Sequence, residues 1–239
     1  MTPSGHTALI TGGATGIGFA LARQFHQAGN KVIIIGRRSD ALDEAARQLP
    51  GIQTEQADIT KAEDRERLVR QHADIDILVN NAGIQINRLL RDLSEAEITT
   101  ELDINLHAPV LFTHAFLPRL LERPEAAIVN VSSGLALVPK QSAAIYCATK
   151  AALHSFSKTL RWQLEDTPVR VFELMPPLVD TAMTAGRGTG KISADALATE
   201  FWHAFLQDRF EIRAGKTRLL SIINRLAPSV AERIMRRGL

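Results

Sequence analysis

Tyr146 and Lys150 are the two residues of this chain whose types and spacing most directly suggest chemistry. Residues four apart on a helix are neighbours on one face, so the phenol and the ammonium would lie side by side. An unperturbed tyrosine titrates near pKa ~10, and a fixed cation nearby lowers the pKa of its phenol towards neutral pH. The pair therefore predicts an acid–base group, although tyrosine–lysine pairs at this spacing also occur by chance.

Ser133 lies in a position that would complement this pair. It follows a predicted strand over residues 126–131, at the carboxyl end, where open α/β sheets bind their ligands. A hydroxyl there can hydrogen-bond a carbonyl oxygen and the negative charge that develops on it. Without such neighbours, a serine in this position would instead be interpreted as a turn or cap residue.

A glycine-rich turn, Thr11-Gly-Gly-Ala-Thr-Gly-Ile-Gly18, separates the first predicted strand from the first predicted helix. Glycines there allow a tight turn and a close approach of backbone to a pyrophosphate, and the helix N-terminus supplies free N–H donors. The spacing differs from the usual G-x-G-x-x-G pattern, so a purely connecting turn remains an alternative interpretation.

The end of the second predicted strand suggests which dinucleotide would bind. An acidic residue there would favour the ribose 2′-hydroxyl of NAD, whereas an arginine suits the 2′-phosphate of NADP. The chain has Arg37 and Arg38 at this point. Two solvated arginines at a helix start are the alternative, but cations there oppose the helix dipole. We predict a preference for NADP(H), with NAD(H) as the second choice.

These residues need a framework of strands and helices, and the hydrophobic pattern supplies one. Short apolar runs predict strands over residues 7–11, 31–35, 52–57, 75–79, 126–131 and 169–175. Helical patterns fill the intervals, with helices predicted over 39–49, 61–72, from Ser94 through Asn105, and over 142–164. Such alternation predicts one α/β domain over residues 1–239, a doubly wound Rossmann-type fold with six to seven parallel strands between two helical layers.

Two later segments break this alternation. Residues 182–200 include a glycine-rich stretch and are predicted to form a mobile substrate lid. Residues 219–237 carry apolar residues at helical spacing among arginines, with Pro228 between them, and predict two short amphipathic helices. Leu135, Leu137, Val138, Leu178 and Met183 predict a partly apolar substrate pocket.

Composition narrows the class of protein. Charged residues make up 23% of the chain and hydrophobic residues 45%, which excludes disordered and fibrous classes. We expect neither an integral membrane segment nor a signal peptide. The single cysteine, Cys147, excludes an internal disulfide and a cysteine-based zinc site, and favours a cytoplasmic protein. The seven histidines show no metal-site spacing, so we predict no metal.

The charge is divided unevenly along the chain. Residues 209–239 have a local charge of +6, which leaves about −4 on residues 1–208 of a chain whose net charge is +2. The main body therefore does not suggest a nucleic-acid binder. The basic tail is either a solvated helical surface or a docking site for an anionic partner.

Taken together, these motifs resemble the short-chain dehydrogenase/reductase family over roughly residues 5–181. The resemblance rests on several segments in the family's order: the turn from Thr11 to Gly18, Asp58, Asn80-Asn-Ala-Gly83, Asn105, Ser133, Tyr146, Lys150 and the segment from Pro176 to Thr181. One position departs from the pattern, because Pro177 stands where the family usually has glycine. The run from Glu173 to Thr181 and the chain's ending resemble the DltE-like branch.

The resemblance implies a catalytic tetrad of Asn105, Ser133, Tyr146 and Lys150. Tyr146 would donate a proton to a carbonyl in reduction or accept one in oxidation, and Ser133 would orient that carbonyl. Lys150 would hold the nicotinamide ribose and lower the pKa of Tyr146, and Asn105 would hold a water linking Lys150 to solvent. Hydride passes directly between nicotinamide and substrate, so this chemistry needs no metal.

The same resemblance implies the cofactor contacts. It assigns to them Gly12, Thr15, Gly16, Ile17, Gly18, Arg37, Arg38, Asp58, Ile59, Asn81, Ala82, Gly83, Tyr146, Lys150, Pro176, Val179 and Thr181. Within this set, Asp58 and Ile59 would meet the adenine, and Val179 and Thr181 the nicotinamide amide. Considered alone, Asp58 would be a strand-end turn residue and Thr181 a helix cap.

The leading hypothesis is therefore an NADP(H)-dependent oxidoreductase acting on a small carbonyl or alcohol substrate, assembled as a homodimer or homotetramer. A dinucleotide-binding regulatory or scaffold protein without turnover is the alternative from another class. An epimerase or dehydratase of the family's extended branch is disfavoured, because no sizeable substrate domain follows residue 181.

Overall fold

Parallel β-strands run through the centre of the protein in a computed structural model, which describes residues 1–236. The sheet comprises β1 (Thr7–Thr11), β2 (Lys31–Gly36), β3 (Gln53–Gln56), β4 (Ile77–Asn80), β5 (Ala126–Val131), β6 (Val169–Met175) and β9 (Glu211–Arg213). Their order across the sheet is β3-β2-β1-β4-β5-β6-β9, and all neighbouring pairs are parallel. The predicted doubly wound α/β fold is confirmed, and β9 is the seventh strand.

Helices cover both faces of this sheet. They are α1 (Gly16–Gln27), α2 (Ser39–Gln48), α3 (Ala62–Gln71), α4 (Glu95–Leu102), α5 (Ala108–Leu121), α6 (Ala144–Gln163), α7 (Ala194–Leu206), α8 (Lys216–Leu226) and α9 (Pro228–Arg236). Buried residues of α1, α2 and α7 pack on one face, and those of α3, α5 and α6 pack on the other. The central strands are therefore buried on both sides, as their continuous aliphatic composition predicts.

The predicted lid over residues 182–200 is corrected in its extent. A short strand pair joins β7 (Val179–Asp180) to β8 (Ile192–Ser193), and α7 begins at Ala194. Leu197 and Ala198 of α7 are buried in the core that α1 shares, so residues 194–200 cannot move without exposing apolar surface. Only the segment before β8 retains the glycine-rich character of a lid.

The two predicted C-terminal helices are present as α8 and α9, and Pro228 begins the second of them. Two buried residues of α9, Ala231 and Met235, pack against Val138. This contact holds α9 over the segment that follows β5. Arg237, the last residue of the predicted amphipathic segment, lies outside the described residues. No helix between residues 1 and 236 is long and apolar enough to cross a membrane.

Candidate active site

The turn between β1 and α1 leaves no room for side chains at its glycines. A Cβ on Gly12 would lie 3.0 Å from the Ala82 Cα, and one on Gly18 only 2.3 Å from the Gly12 carbonyl oxygen. Gly12 and Gly16 also have positive φ angles of 63° and 57°, which favour glycine. Thr15 precedes α1 without a side-chain cap, so the first N–H groups of the helix stay free to bind an anion.

A cavity of about 370 Å³ begins at this turn and runs along the carboxyl ends of the strands. Arg37 and Arg38 line one part of it, and Tyr146 and Lys150 line another. Of the predicted cofactor residues, the structure places in this lining Gly12, Thr15, Gly16, Ile17, Arg37, Arg38, Asp58, Ile59, Asn81, Ala82, Gly83, Tyr146, Lys150, Pro176 and Thr181. The cavity thus combines a free helix N-terminus, closely packed glycines and two cations. These features suit a dinucleotide with its pyrophosphate and a further phosphate group.

Two predicted cofactor residues, Gly18 and Val179, lie outside that lining. Gly18 packs behind the turn, where its missing side chain lets α1 approach Gly12 and Asn81. Val179 is buried and lines a second cavity next to the first. Gly18 therefore shapes the turn, and Val179 lines the cavity on the other side of Tyr146.

Asn81 and Asp58 use their polar groups within the fold. The Asn81 side-chain amide donates to the Thr11 and Gly12 carbonyls at 2.9 and 3.2 Å, tying the end of β4 to the turn. Asp58 accepts from the Thr60 backbone N–H and hydroxyl at 3.0 and 2.7 Å, which is the strand-end turn considered for it. Both residues nevertheless line the cavity, so the turn geometry also positions them towards a ligand.

Tyr146 and Lys150 lie on α6 as predicted, with the Lys150 Nζ 5.7 Å from the centre of the Tyr146 ring. The predicted acidification of the phenol by Lys150 is wrong for the chain as folded. Burial raises the pKa of Tyr146 to about 12, while the neighbouring Ser133 hydroxyl acts in the opposite direction. Lys150 is 4% exposed and donates to the Val131 carbonyl at 2.9 Å. Its burial lowers the pKa of its own ammonium to about 8.

Ser133 is held in place by the turn that follows β5. Its Oγ accepts from the Leu135 N–H at 3.1 Å, which leaves the hydroxyl proton free to donate. Ser133 lines the second cavity beside Tyr146. The two hydroxyls that the sequence pairs are thus brought together.

Asn105 is fully buried in a π-helical stretch, Asp103–His107, between α4 and α5. Its side chain exchanges two hydrogen bonds of 2.9 Å with the backbone of Ile84. A Cβ on Gly83 would lie 3.2 Å from the Asn105 Oδ1 and 3.7 Å from the Lys150 Nζ, so both groups converge on this glycine. π-Helical turns are frequent at functional sites, and this one places Asn105 near the same glycine as Lys150.

A buried polar network that the sequence motifs do not predict lies behind the lysine. Glu173 of β6 is fully buried and accepts from the hydroxyl of Ser132 and from the His154 Nδ1, the latter at 2.7 Å. Its negative charge raises the pKa of Lys150, against the larger effect of burial. The available signal was the helical spacing, because His154 follows Lys150 by four residues and Tyr146 by eight.

The second cavity, of about 410 Å³, opens on the other side of Tyr146. The predicted pocket residues Leu135, Leu178 and Met183 line it, together with side chains of α8 and α9. Leu137 and Val138 do not line it and are packed in the cluster with α9 instead, which corrects their assignment. No group of three His, Cys, Asp or Glu side chains within residues 1–236 is arranged to hold a metal ion.

Pro177 lies in the wall of this second cavity. A Cβ on Gly215 would be 3.4 Å from the Pro177 ring, and Gly215 has a φ of 50° at the start of α8. The proline ring is therefore accommodated against a glycine of the C-terminal segment.

Comparison with known proteins gives concordant results. A model of the short chain dehydrogenase family matches residues 6–192. The uncharacterized oxidoreductase DltE of Bacillus subtilis strain 168 is 47% identical over 189 residues, which cover 77% of this chain and 75% of the relative. A short chain dehydrogenase of Burkholderia cenocepacia in complex with NADP has 26% identity and a TM-score of 0.88. This match covers 96% of the present chain and 97% of the Burkholderia chain. A 3-ketoacyl-(acyl-carrier-protein) reductase of Brucella melitensis complexed with NADH has 28% identity and a TM-score of 0.79. This match covers 85% of the present chain and 91% of the Brucella chain.

Proposed function

The chain belongs to the short-chain dehydrogenase family, and we propose that it is an NADP(H)-dependent oxidoreductase that interconverts a carbonyl and an alcohol. The observation that carries this proposal is the position of Tyr146, whose side chain lines both cavities. A single proton donor at the junction of a dinucleotide-shaped cavity and an apolar one is what direct hydride transfer to a carbonyl needs.

The first cavity would hold the dinucleotide in an extended form. The turn from Gly12 to Gly16 and the N-terminus of α1 would bind the pyrophosphate, and Arg37 and Arg38 the ribose 2′-phosphate. Asp58 would lie at the adenine end and Lys150 at the nicotinamide ribose. The NADP complex of the Burkholderia cenocepacia relative supports this cofactor, and the NADH complex of the Brucella melitensis relative keeps NAD(H) as the alternative.

In reduction, Tyr146 would donate its proton to the carbonyl oxygen, and a nicotinamide held beside Lys150 would supply the hydride. A phenol whose pKa is about 12 is protonated throughout the neutral range, so it acts as the acid without prior activation. Ser133 donates its free hydroxyl proton to the same oxygen and stabilises the charge that develops there. Lys150 then returns a proton towards Tyr146, and Asn105 holds the water through which Lys150 exchanges with solvent.

We further propose that copies of the chain assemble as a homodimer or homotetramer through α6. Trp162 of this helix is 63% exposed, and aromatic side chains of this kind are enriched at interfaces between proteins. Sedimentation of the wild type should give a dimer or tetramer mass, and Trp162→Ser should shift it towards the monomer. A monomeric wild type would contradict this assembly.

We place the enzyme in the cytoplasm, since its one cysteine, Cys147, is buried and free. Cell fractionation would check this location.

The experiment that tests the function uses NADPH deuterated at the transferable position and a panel of ketones, aldehydes and quinones. The expected result is NADPH oxidation with at least one carbonyl compound and deuterium on the former carbonyl carbon of the alcohol. Tight NADPH binding with neither NADPH oxidation nor deuterium transfer by any member would favour the non-catalytic dinucleotide-binding protein instead.

A further inference from the structure

Three cations from distant segments line the second cavity: Lys140 precedes α6, Arg187 lies between β7 and β8, and Lys216 begins α8. Lys140 and Arg187 are half-buried. The Lys216 amine reaches over the loop, because a Cβ on Gly190 would lie 2.6 Å from its Nζ. Among residues 1–236, the lining of this cavity contains no aspartate or glutamate.

The partners of these cations are neutral. The Lys140 Nζ donates to the Asn87 Oδ1 at 2.6 Å, and the Arg187 Nη1 donates to the Gln85 Oε1 at 2.9 Å. None of the three cations forms an ion pair within the described part of the chain, whereas nearby Lys191 pairs with Asp180 at 3.4 Å. The fold thus collects positive charge here without a carboxylate of residues 1–236 in the cavity lining or in an ion pair with these three cations.

This arrangement costs free energy in the protein alone. Burial and the neighbouring Arg187 charge both lower the pKa of Lys140. Partly buried like charges are unfavourable unless an opposite charge reaches them. Arg187 also acts on the phenol of Tyr146, so its charge lies within reach of the reacting carbonyl.

Much of the remaining lining is hydrocarbon, and it includes Leu135, Leu178, Leu220, Ile223 and Met235. A volume of about 410 Å³ is enough for a chain of several carbons. Building on the proposed oxidoreductase function, we propose that the substrate is a carbonyl compound with a hydrocarbon chain and an anionic group, a carboxylate or a phosphate ester. The anionic group binds to Lys140, Arg187 and Lys216, and the chain lies against the apolar wall.

The first test measures binding without turnover. Octanoate and octanamide have the same chain and nearly the same shape but differ in charge. Calorimetric titration of the NADP⁺ complex should give about tenfold tighter binding of octanoate, the effect of one charge-assisted hydrogen bond. Raising the salt concentration should weaken the binding of octanoate and leave the binding of octanamide unchanged. Octyl phosphate, in the same titration, distinguishes a phosphate ester from a carboxylate as the preferred anion.

Substitutions assign the effect to the cations. Arg187→Gln should weaken the binding of octanoate about tenfold. Lys216→Gln should weaken it about threefold, because Lys216 is more exposed. The affinity for octanamide should be unchanged in both variants. Arg225→Gln is the matched control, because this exposed arginine also lies on α8 but does not line the cavity. Lys216 is exposed, so its variant should fold normally even if Arg187→Gln does not.

Equal affinities for octanoate and octanamide in the wild type would overturn the proposal. So would variants that weaken both probes alike, or a control variant that matches Lys216→Gln. None of these outcomes would affect the proposed oxidoreductase function, which the deuterium-transfer screen tests separately with neutral carbonyl compounds. Conversely, failure of that screen would leave the charge preference measured here unchanged.

Discussion

The two cavities that meet at Tyr146 are built in different ways. The first lies along the ends of adjacent strands, and its wall depends on backbone conformation and on glycines that exclude side chains. The second is enclosed by the segment after β5, the loop between β7 and β8, and the helices α8 and α9. The first is therefore set by the sheet itself, while the second depends on side chains carried by peripheral segments. A fold built this way can keep one cofactor site while its substrate site varies.

The largest effect on cofactor binding should follow from placing a side chain in the turn where the first cavity begins. Gly18→Ala would place a methyl 2.3 Å from the Gly12 carbonyl oxygen, forcing the turn apart. We expect at least about 100-fold weaker NADPH binding, measured by nicotinamide fluorescence. Gly186→Ala is the control from the second region: its φ of 71° disfavours alanine, but nothing lies within 4 Å of the new methyl. Equal loss in both variants would mean that the two regions do not differ in this way.

A smaller effect should follow from reversing charge at the adenosine end of the first cavity. Arg37→Asp removes a phosphate partner and supplies a carboxylate for a ribose hydroxyl, so the ratio of NADPH to NADH affinity should fall about 10- to 100-fold. Arg47→Asp, on the helix α2 that follows Arg37 but outside the cavity, should leave the ratio unchanged. Tighter binding of NADH than NADPH by the wild type would contradict the assigned preference.

The pH dependence of reduction should report on the buried groups between the cavities. Lys150 loses its charge as pH rises through about 8, whereas Tyr146 keeps its proton to about 12, so kcat/KM should fall above pH 8. Glu173→Gln removes the charge that raises the Lys150 pKa, so the fall should move to lower pH. Glu66→Gln, on the exposed face of α3, should leave the profile in place. An unmoved profile in Glu173→Gln would exclude Lys150 as the group that titrates.

The smallest effect concerns the segment before β8 in the second region. We expect this glycine-rich loop to become ordered over the substrate, so limited proteolysis within residues 184–191 should slow several-fold with NADPH and substrate together. Residues 194–200 should resist cleavage in either condition, because α7 packs in the core. Equal protection of the loop from proteolysis with and without ligands would contradict the prediction that it acts as a lid.

The contrast between the cavities also explains what the sequence could predict. Strand and helix positions, the Gly12–Gly18 turn and the Tyr146–Lys150 pair follow from local periodicity and spacing, and the structure brings them together. Leu137 and Val138 were assigned to the wrong environment because their neighbours come from α9, almost 100 residues later. The predicted direction of the shift in the Tyr146 pKa is wrong for a related reason. A helical spacing places a cation nearby, but it does not reveal how deeply both groups are buried.

The central claim is that the Tyr146 hydroxyl supplies the proton at the junction of the two cavities. The most direct test measures NADPH affinity and NADPH oxidation on the same preparations of wild type and Tyr146→Phe, with an accepted carbonyl substrate. We predict that turnover falls at least about 10³-fold while the NADPH dissociation constant stays within about threefold. Turnover that survives within tenfold, with NADPH still bound, would contradict the claim.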